Sequence, residues 1–293
     1  MQVETPTLLS AVDEKLLLAV HKFHYLTLTQ LIRYLGYSER SKGSANWIGG
    51  FLKALVADNY LVAQNLPRVS SYGRNPLIYS LATQGVKHIE HVGLTVQTKL
   101  TPAEQERSFL FLEHTLRLND VLIAACLLEK QIDGITLAEL RHERVLKHHP
   151  TKVQVDGKSV SVIPDAWLDF RLSPPFSRAS EQVAICLELD RATEDVLSFR
   201  SKIRKYVAFA GGAYQSAFGT GSLTIAFVTT GTDRRVQQMK IWTREELTRL
   251  NTLGYADLFL FTLLDAGCVD DVELFTAPVF HTLSSASVAL LEE

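Results

Sequence analysis

The hydrophobic and polar positions of the first ninety residues predict three helices followed by two short strands. Acidic residues in a first turn, followed by an apolar run, indicate a helix at 13–22. A hydroxyl N-cap and a closing glycine bracket a second helix at 27–36. A third helix begins at Ser38, where large apolar residues recur at helical spacing. Runs rich in β-forming residues at 60–63 and 77–81 predict the two strands of a hairpin.

The third helix combines an apolar rear, which includes Trp47 and Phe51, with a basic, hydrogen-bonding front. The segment between the two strands, NLPRVSSYGRNP, is rich in turn formers and carries two arginines. Three helices and a hairpin with a basic tip indicate a winged helix. In such a module the third helix enters the major groove, and the hairpin contacts the backbone or the minor groove. The candidate DNA contacts are Arg40, Lys42, Ser44, Asn46, Arg68 and Arg74.

The charge of this module favours DNA as its partner. Residues 21–90 carry eight Lys or Arg against three Asp or Glu, and the basic residues concentrate at the helix entrance and the hairpin tip. Two alternatives stay open. The module could bind a protein, as other winged helices do, and Arg40 and Asn46 could cap or solvate the helix and not contact bases.

A polar connector at 93–102 separates this module from a longer region with an α/β pattern. The spacing of apolar residues predicts a helix at 103–130, strands at 137–147, 160–172 and 182–190, a helix at 193–210, a strand at 222–230, a helix at 233–251 and a strand at 257–264. We therefore expect a winged-helix domain at 1–95 and an α/β domain at 103–293. The fold class is α/β with an α+β N-terminal part.

Acidic residues fall on two of these predicted strands. Asp165 lies inside the second strand, and Glu188 and Asp190 end the third. Because strand side chains alternate between faces, Glu188 and Asp190 point the same way, and neighbouring strands would bring Asp165 beside them. Clustered anions repel one another, so they need a divalent metal or basic partners. Lys202, Arg204 and Lys205 of the following helix are candidates for the basic role. A purely structural ion-pair network is the alternative.

Charge and cysteine content narrow the classes of protein further. The 293 residues carry 30 Lys and Arg against 32 Asp and Glu, but residues 1–100 hold ten basic and six acidic side chains, so the total hides a basic part and an acidic part. The three cysteines are widely spaced in apolar runs, which argues against a zinc site or a disulfide framework. The chain has neither a signal-peptide pattern nor an 18-residue apolar run, so we expect a cytoplasmic protein with no membrane partner.

The residues carry two resemblances to known proteins. The order helix, three strands, helix, strand, with Pro164-Asp165 and with Glu188-Leu189-Asp190, resembles the PD-(D/E)XK nuclease fold. From about residue 12 to 265, including the segments PDAWLDFRL and LELDRATEDVLSFRSKIRKYVAF, the chain resembles the replication-relaxation family encoded on bacterial plasmids and other mobile elements. The resemblance implies an αβββαβ core in the second domain.

The nuclease resemblance implies metal-dependent phosphodiester cleavage. By this resemblance Asp165 and Glu188 bind Mg²⁺ together with the backbone carbonyl of Leu189, and a lysine polarises the attacking water. Asp190 stands at the position of the motif's lysine, so a lysine of the next helix must reach the site. The implied catalytic residues are Asp165, Glu188, Asp190, Lys202 and Lys205.

Three functions are compatible with these patterns. The first is a DNA-binding protein of the replication-relaxation type that controls replication or transfer of plasmid or mobile-element DNA, with a nuclease-like domain that cleaves weakly or not at all and needs no cofactor. The second is a Mg²⁺-dependent endodeoxyribonuclease. The third is a protein-interaction adaptor, for which the C-terminal segment LFTAPVFHTLSSASVALL forms either an exposed apolar patch or a last strand packed on its own core. Expected partners are double-stranded DNA, a second copy in a homodimer, and a replication or mobile-element protein.

Overall fold

The computed structural model describes residues 9–38, 41–66, 76–96, 109–264 and 270–292, which form a mixed α/β fold with several sheets. Their contacts divide the chain into two units, residues 1–123 and 124–293. The division lies inside a long helix, C-terminal to the linker expected at 93–102. None of the helices in the described ranges is long and apolar enough to cross a membrane.

The first unit contains short helices and a three-stranded antiparallel sheet. Its helices are α1 (Ala11–Phe23), α2 (Leu28–Tyr34), α3 (Lys42–Ala57) and α4 (Thr83–His91), followed by the first part of α5 (Phe109–Leu128). Its strands, β1 (Leu26–Thr27), β2 (Leu61–Asn65) and β3 (Leu77–Leu81), lie in the order β1-β3-β2. Capping boxes at Ser10 and Thr27 begin α1 and α2. The predicted pairing of two strands after α3 is confirmed, with Ala63 opposite Tyr79.

The buried face of helix α3 is narrower than its sequence predicts. Ile48, Leu52 and Leu55 are buried, whereas Trp47, predicted for the apolar rear, is 45% exposed. Successive helical residues are turned by about 100°, so a side chain next to the buried stripe faces solvent. Trp47 packs edge-on against Tyr37, with ring centroids 5.4 Å apart. The prediction that Trp47 belongs to the core face is therefore wrong.

Two buried amides attach the beginning of α5 to the rest of the first unit. The side-chain amide of Asn119 donates to the carbonyls of Phe23 and Tyr25 at 3.0 and 2.7 Å. Gln30 Nε2 donates to the Leu116 carbonyl at 2.7 Å. Buried carbonyls need such donors because water does not reach them. These bonds explain why the first unit extends into α5.

The second unit is built on one large sheet and several helices. The strands of the sheet are β4 (Ile135–His142), β7 (Ala166–Leu172), β8 (Glu181–Asp190), β9 (Thr224–Thr229), β10 (Phe259–Leu263), β11 (Phe280–His281) and β12 (Ser287–Val288), in the order β12-β11-β10-β9-β8-β7-β4. Strands β4, β7 and β8 pair antiparallel, and β8, β9 and β10 pair parallel. A separate hairpin consists of β5 (Thr151–Val155) and β6 (Lys158–Val162).

The helices of the second unit are α6 (Glu143–His148), α7 (Val196–Ala208), α8 (Tyr214–Phe218), α9 (Asp233–Arg249) and α10 (Glu273–Thr276), with a π-helical turn at Phe209–Ala213 and a 3₁₀ turn at Leu253–Leu258. Helices α7 and α9 pack together on the sheet. The ring of Phe199 in α7 lies 5.1 Å from that of Phe227 in β9 and 5.7 Å from that of Trp242 in α9.

Two strands of the second unit are shorter than predicted. The strand expected at 160–172 is divided into β6 and β7, because Pro164 between them has no N–H for a ladder. Asp165 therefore lies in a connection and not inside a strand. The strand expected at 137–147 stops at His142, whose side chain accepts a hydrogen bond from the first turn of α6.

The C-terminal segment packs against the sheet of its own unit. Strands β11 and β12 extend the sheet beyond β10. Phe275, Phe280 and Leu291 are buried. The exposed apolar patch that an adaptor would need is therefore not formed by these side chains.

Candidate functional site

The adjacent ends of β7 and β8 bring two of the candidate carboxylates together. The strands are antiparallel with Ala166 opposite Leu187, so Asp165 and Glu188 follow at the next position of the register. Asp165 Oδ2 accepts a hydrogen bond from the amide of Leu189 at 2.8 Å. This bond fixes the Asp165 carboxylate against the neighbouring strand.

Glu188 is buried, and its two carboxylate oxygens have different donors. The hydroxyl of Tyr206 donates to Oε1, and the ammonium of Lys202 donates to Oε2 at 2.8 Å. Burial raises the pKa of Glu188 to about 7; the charge of Lys202 opposes this rise and that of Asp165 adds to it. Burial, followed by the charge of Glu188, also raises the pKa of the Tyr206 hydroxyl well above its usual range. Glu188 can thus hold or release a proton near neutral pH.

Lys202 lies among three carboxylates. Its Nζ atom is 2.8 Å from Glu188 Oε2 and 3.4 Å from Glu194 Oε2. Burial lowers the pKa of Lys202, but the charges of Glu188, Asp165 and Glu194 raise it by more, so the lysine is a fixed cation at neutral pH. The Lys202 side chain is 28% exposed, so its charge still faces solvent in part.

A cavity of about 650 Å³ opens over this cluster, and we call it the carboxylate cavity. Ser198, Ser201 and Lys205 of α7 add a second lysine and two hydroxyls to its lining. The exposed side chain of Leu197 also lines it, so the cavity opens to solvent. Its remaining lining residues are Ser161, Val162, Ile163, Asp165, Glu188, Glu194, Lys202 and Tyr206. The lining therefore offers cations and hydroxyls to an anionic ligand, and carboxylates to a cation.

Asp190 does not line the carboxylate cavity. Its carboxylate accepts hydrogen bonds from Arg235 at 2.6 and 2.8 Å and from the Thr229 hydroxyl at 2.7 Å. Burial alone would raise the pKa of Asp190, but the bonds from Arg235 and Thr229 hold it below its usual value. Asp190 is therefore engaged in a buried ion pair with Arg235.

Three of the six candidate DNA contacts lie on helix α3. Lys42 and Asn46 are exposed one turn apart, and Lys53 is exposed about two turns further along the helix. Ser44 is half-buried, and its amide donates to the hydroxyl of the N-cap residue Ser41 at 3.3 Å. The other three candidates, Arg40, Arg68 and Arg74, lie outside the described residues.

Sequence reasoning missed three charged or polar residues around these carboxylates. Tyr206 lies four residues after Lys202 on one face of α7, a spacing that could have identified it. Glu194 lies in the connection before α7, and Arg235 lies in α9, 45 residues from Asp190. No local sequence signal connects Arg235 to its partner.

The side chains at the carboxylate cavity can hold Mg²⁺ in one way, through two carboxylates and water. Among the residues that the structure describes, no group of three His, Cys, Asp or Glu side chains is placed to hold a metal. Mg²⁺, however, keeps several waters and is commonly bound by one or two protein carboxylates. Asp165 and Glu188 would hold it at the open cavity. Lys202 competes with any cation there, because its ammonium already contacts Glu188 Oε2.

Comparison with curated proteins and with solved structures finds no match. The family model described as replication-relaxation matches residues 17–224, which is more than half of the chain. The match spans helix α3, both strands that follow it and every residue that lines the carboxylate cavity. The chain belongs to the replication-relaxation family.

Proposed function

We propose that this protein binds double-stranded DNA of a plasmid or another mobile element through a winged helix in its first unit, and so controls replication or transfer. The observation that carries this proposal is the outer face of α3. Lys42, Asn46 and Lys53 are exposed there, on a helix whose other side is buried. Strands β2 and β3 follow as an antiparallel pair, and the connection between them carries Arg68 and Arg74 in the sequence.

This helix face has the chemistry that a DNA duplex requires. Lys42 and Lys53 can neutralise phosphates on either side of a groove, which gives affinity without sequence preference. The carboxamide of Asn46, which lies between the two lysines, can donate to and accept from the edge of an adenine base. The two functions, positioning and base contact, are thus separated along one helix.

Fluorescence anisotropy with a labelled duplex at several salt concentrations tests the proposal. We expect the affinity to fall as salt rises, and the double variant Lys42→Ala/Lys53→Ala to bind about tenfold more weakly with a salt slope reduced by about two. The matched control, Lys15→Ala/Lys87→Ala, removes two exposed lysines from α1 and α4. Binding that is independent of salt, or an equal loss in the control, would contradict contact through α3.

We further propose that the second unit is a PD-(D/E)XK nuclease-like domain that cleaves DNA weakly or not at all. The strand, strand, strand, helix, strand order of that fold corresponds to β4, β7, β8, α7 and β9 in the second unit, with the hairpin β5–β6 inserted after α6. The helix that precedes them is α5, of which only the C-terminal end belongs to this unit. Two contacts support weak or absent cleavage. Asp190, at the motif's lysine position, is bound by Arg235, and Lys202 holds Glu188 Oε2.

One observation favours a second candidate function, that of a Mg²⁺-dependent endonuclease. Lys202 reaches Glu188 from α7 and so supplies a lysine where Asp190 has replaced the motif's own. Bound Mg²⁺ would polarise a phosphodiester and lower the pKa of a coordinated water. Among the chain's own residues, Tyr206 orients Glu188, the neighbouring strand fixes Asp165, and the ammonium of Lys202 attracts a phosphate oxygen.

Incubation of supercoiled plasmid with the protein and Mg²⁺ or Mn²⁺ decides between the two functions of this domain. Intact plasmid with either metal supports a non-cleaving domain. Cleavage that disappears in Asp165→Ala and in Lys202→Met supports the endonuclease. Lys205→Met is the matched control, because Lys205 lines the same cavity but forms no ion pair with a described residue.

A further inference from the structure

The hairpin β5–β6 presents a polar face to solvent beside the carboxylate cavity. Lys152 lies opposite Ser161, and Gln154 lies opposite Ser159. Cross-strand partners and alternate residues point to the same side of a hairpin, so these four side chains share one face, which we call the hairpin face. Lys152, Gln154 and Ser159 are exposed, and Ser161 is half-buried. None of the four is acidic.

The other side of the hairpin fixes it to the second unit. Val153 and Val162 are buried in the same apolar cluster as residues of α7 and β9, and Val155 and Val160 pack against that cluster. A two-residue turn at Asp156 joins the strands. The hairpin face is thus held in place by apolar packing behind it, and its polar side chains face outward.

The hairpin lies in a basic stretch of an otherwise acidic region. Residues 139–162 carry five Lys or Arg against three Asp or Glu, whereas residues 101–293 carry twenty against twenty-six. Lys152 and Lys158 are exposed and form no ion pair with any residue that the structure describes. Only Lys152 lies on the hairpin face, because Lys158 is paired with Val155 next to the turn and so belongs to the other side of the hairpin. An exposed lysine among uncharged polar side chains on a fixed hairpin is complementary to a polyanion.

A second cavity continues this basic surface at the base of the hairpin. It has a volume of about 440 Å³ and is lined in part by Lys152, His149 and Arg141. The guanidinium of Arg141 lies 5.3 Å from the centre of the Phe218 ring and 2.7 Å from Glu139, which offsets one positive charge. The cavity therefore adds polar and aromatic surface next to Lys152.

We infer that the hairpin face contacts the phosphate backbone of double-stranded DNA at the mouth of the carboxylate cavity. Lys152 lines the second cavity, and its cross-strand partner Ser161 lines the carboxylate cavity. The Cβ atoms of such partners lie about 5 Å apart, so a backbone held by Lys152 passes the edge of the carboxylate cavity that Ser161 lines. Lysine, serine and glutamine side chains are typical phosphate contacts, and two-stranded ribbons are used to bind DNA.

This inference rests on the proposed DNA binding and adds a second contact surface, in the second unit. The test is anisotropy of the full chain on the same labelled duplex. We expect Lys152→Ala/Gln154→Ala, which removes two side chains of the hairpin face, to bind about tenfold more weakly, with a salt slope reduced by about one. Lys152 and Gln154 are both exposed, so the circular dichroism spectrum and the thermal midpoint should match those of the wild type.

The control removes two positive charges at the opposite end of the sheet, one more than the hairpin variant removes. Lys130 precedes β4 and Arg178 precedes β8, and the nearby residues Ile135 and Glu181 both pair with Leu172, at the far end of β7 from Asp165. Lys130→Ala/Arg178→Ala should bind within about twofold of the wild type.

The possible failures are distinguishable. If the wild type binds duplex DNA, the α3 variant binds weakly and the hairpin variant binds normally, this inference is overturned and the proposed function stands. If the control pair loses as much affinity as the hairpin pair, the hairpin face is not a specific contact, and the inference is again overturned. A wild type that does not bind duplex DNA at any salt concentration overturns the proposed function together with this inference.

Discussion

Replacing Arg235 with methionine should strongly destabilise the second unit. The guanidinium donates to both oxygens of Asp190 and, at 3.0 Å, to the carbonyl of Glu194. The side chains of Arg235 and Asp190 are only 7% and 3% exposed, so water cannot replace a lost partner. Removal of one member of a buried pair costs about 3–5 kcal/mol, because the other charge stays buried. Since Thr229 still donates to Asp190, we expect a value near the lower end of that range.

The pair also gives stability a defined dependence on pH. Burial by itself would raise the pKa of Asp190, but the hydrogen bonds from Arg235 and Thr229 hold this pKa below its usual value. The pair therefore stabilises the fold above the pKa that Asp190 has in the unfolded chain, and this contribution is lost as the pH falls through the folded-state pKa. Arg235→Met should remove that part of the acid sensitivity.

Urea unfolding at pH 7, followed by the combined fluorescence of Trp167 and Trp242, measures the effect in the second unit. A Trp47→Phe background removes the tryptophan signal of the first unit. Lys147→Met is the control, because it breaks an exposed helical pair with Glu143 and should cost about 0.5 kcal/mol or less.

The double variant Arg235→Met/Asp190→Leu removes both buried charges and should recover much of the loss. Two results would refute the structural role of Asp190: a cost below about 1 kcal/mol for Arg235→Met, or a double variant no more stable than the single one.

Three further predictions concern other parts of the chain. Asn119→Ala removes the side-chain donor of the Tyr25 carbonyl and one of the two donors of the Phe23 carbonyl, and should lower the free energy of unfolding by about 2 kcal/mol in urea denaturation. Ser10→Ala removes the capping box of α1 and should cost about 1 kcal/mol, seen as a lower thermal midpoint. Burial raises the pKa of Glu188 from 4.5 to about 7, so the stability that this group contributes is present below pH 4.5 and is lost as the pH rises to 7. Glu188→Gln should flatten the thermal midpoint against pH over that interval.

Most helices of the first unit were predictable because their signals are local. Each capping box joins residues three positions apart, and the apolar stripe of α3 repeats every three to four residues. Trp47 shows the limit of this reasoning. Periodicity identifies a broad apolar arc, but only packing decides which edge of the arc is covered. Pro164 is the opposite case, because a proline inside a predicted strand was itself a signal that the strand divides there.

The carboxylate site was predictable only as far as strand order determines it. Adjacent antiparallel strands place Asp165 beside Glu188. The partners of the carboxylates depend on which helix covers each position, and that is a property of tertiary packing. Alternation puts Glu188 and Asp190 on one face of β8, yet a lysine from α7 reaches the first and an arginine from α9 reaches the second.

The two carboxylates of β8 differ in how completely their charges are neutralised, and this difference supports the proposed site at the carboxylate cavity. Asp190 has a bidentate arginine in a buried site, which suits stability. Glu188 shares one lysine with Glu194 at a cavity open to solvent, and its pKa is raised to about 7. Incompletely neutralised groups in open cavities are typical of binding or catalytic sites. The two proposed functions of this domain therefore assign different roles to Lys202. As a counter-ion it closes the site to a cation, and as a phosphate ligand it would direct DNA toward Asp165.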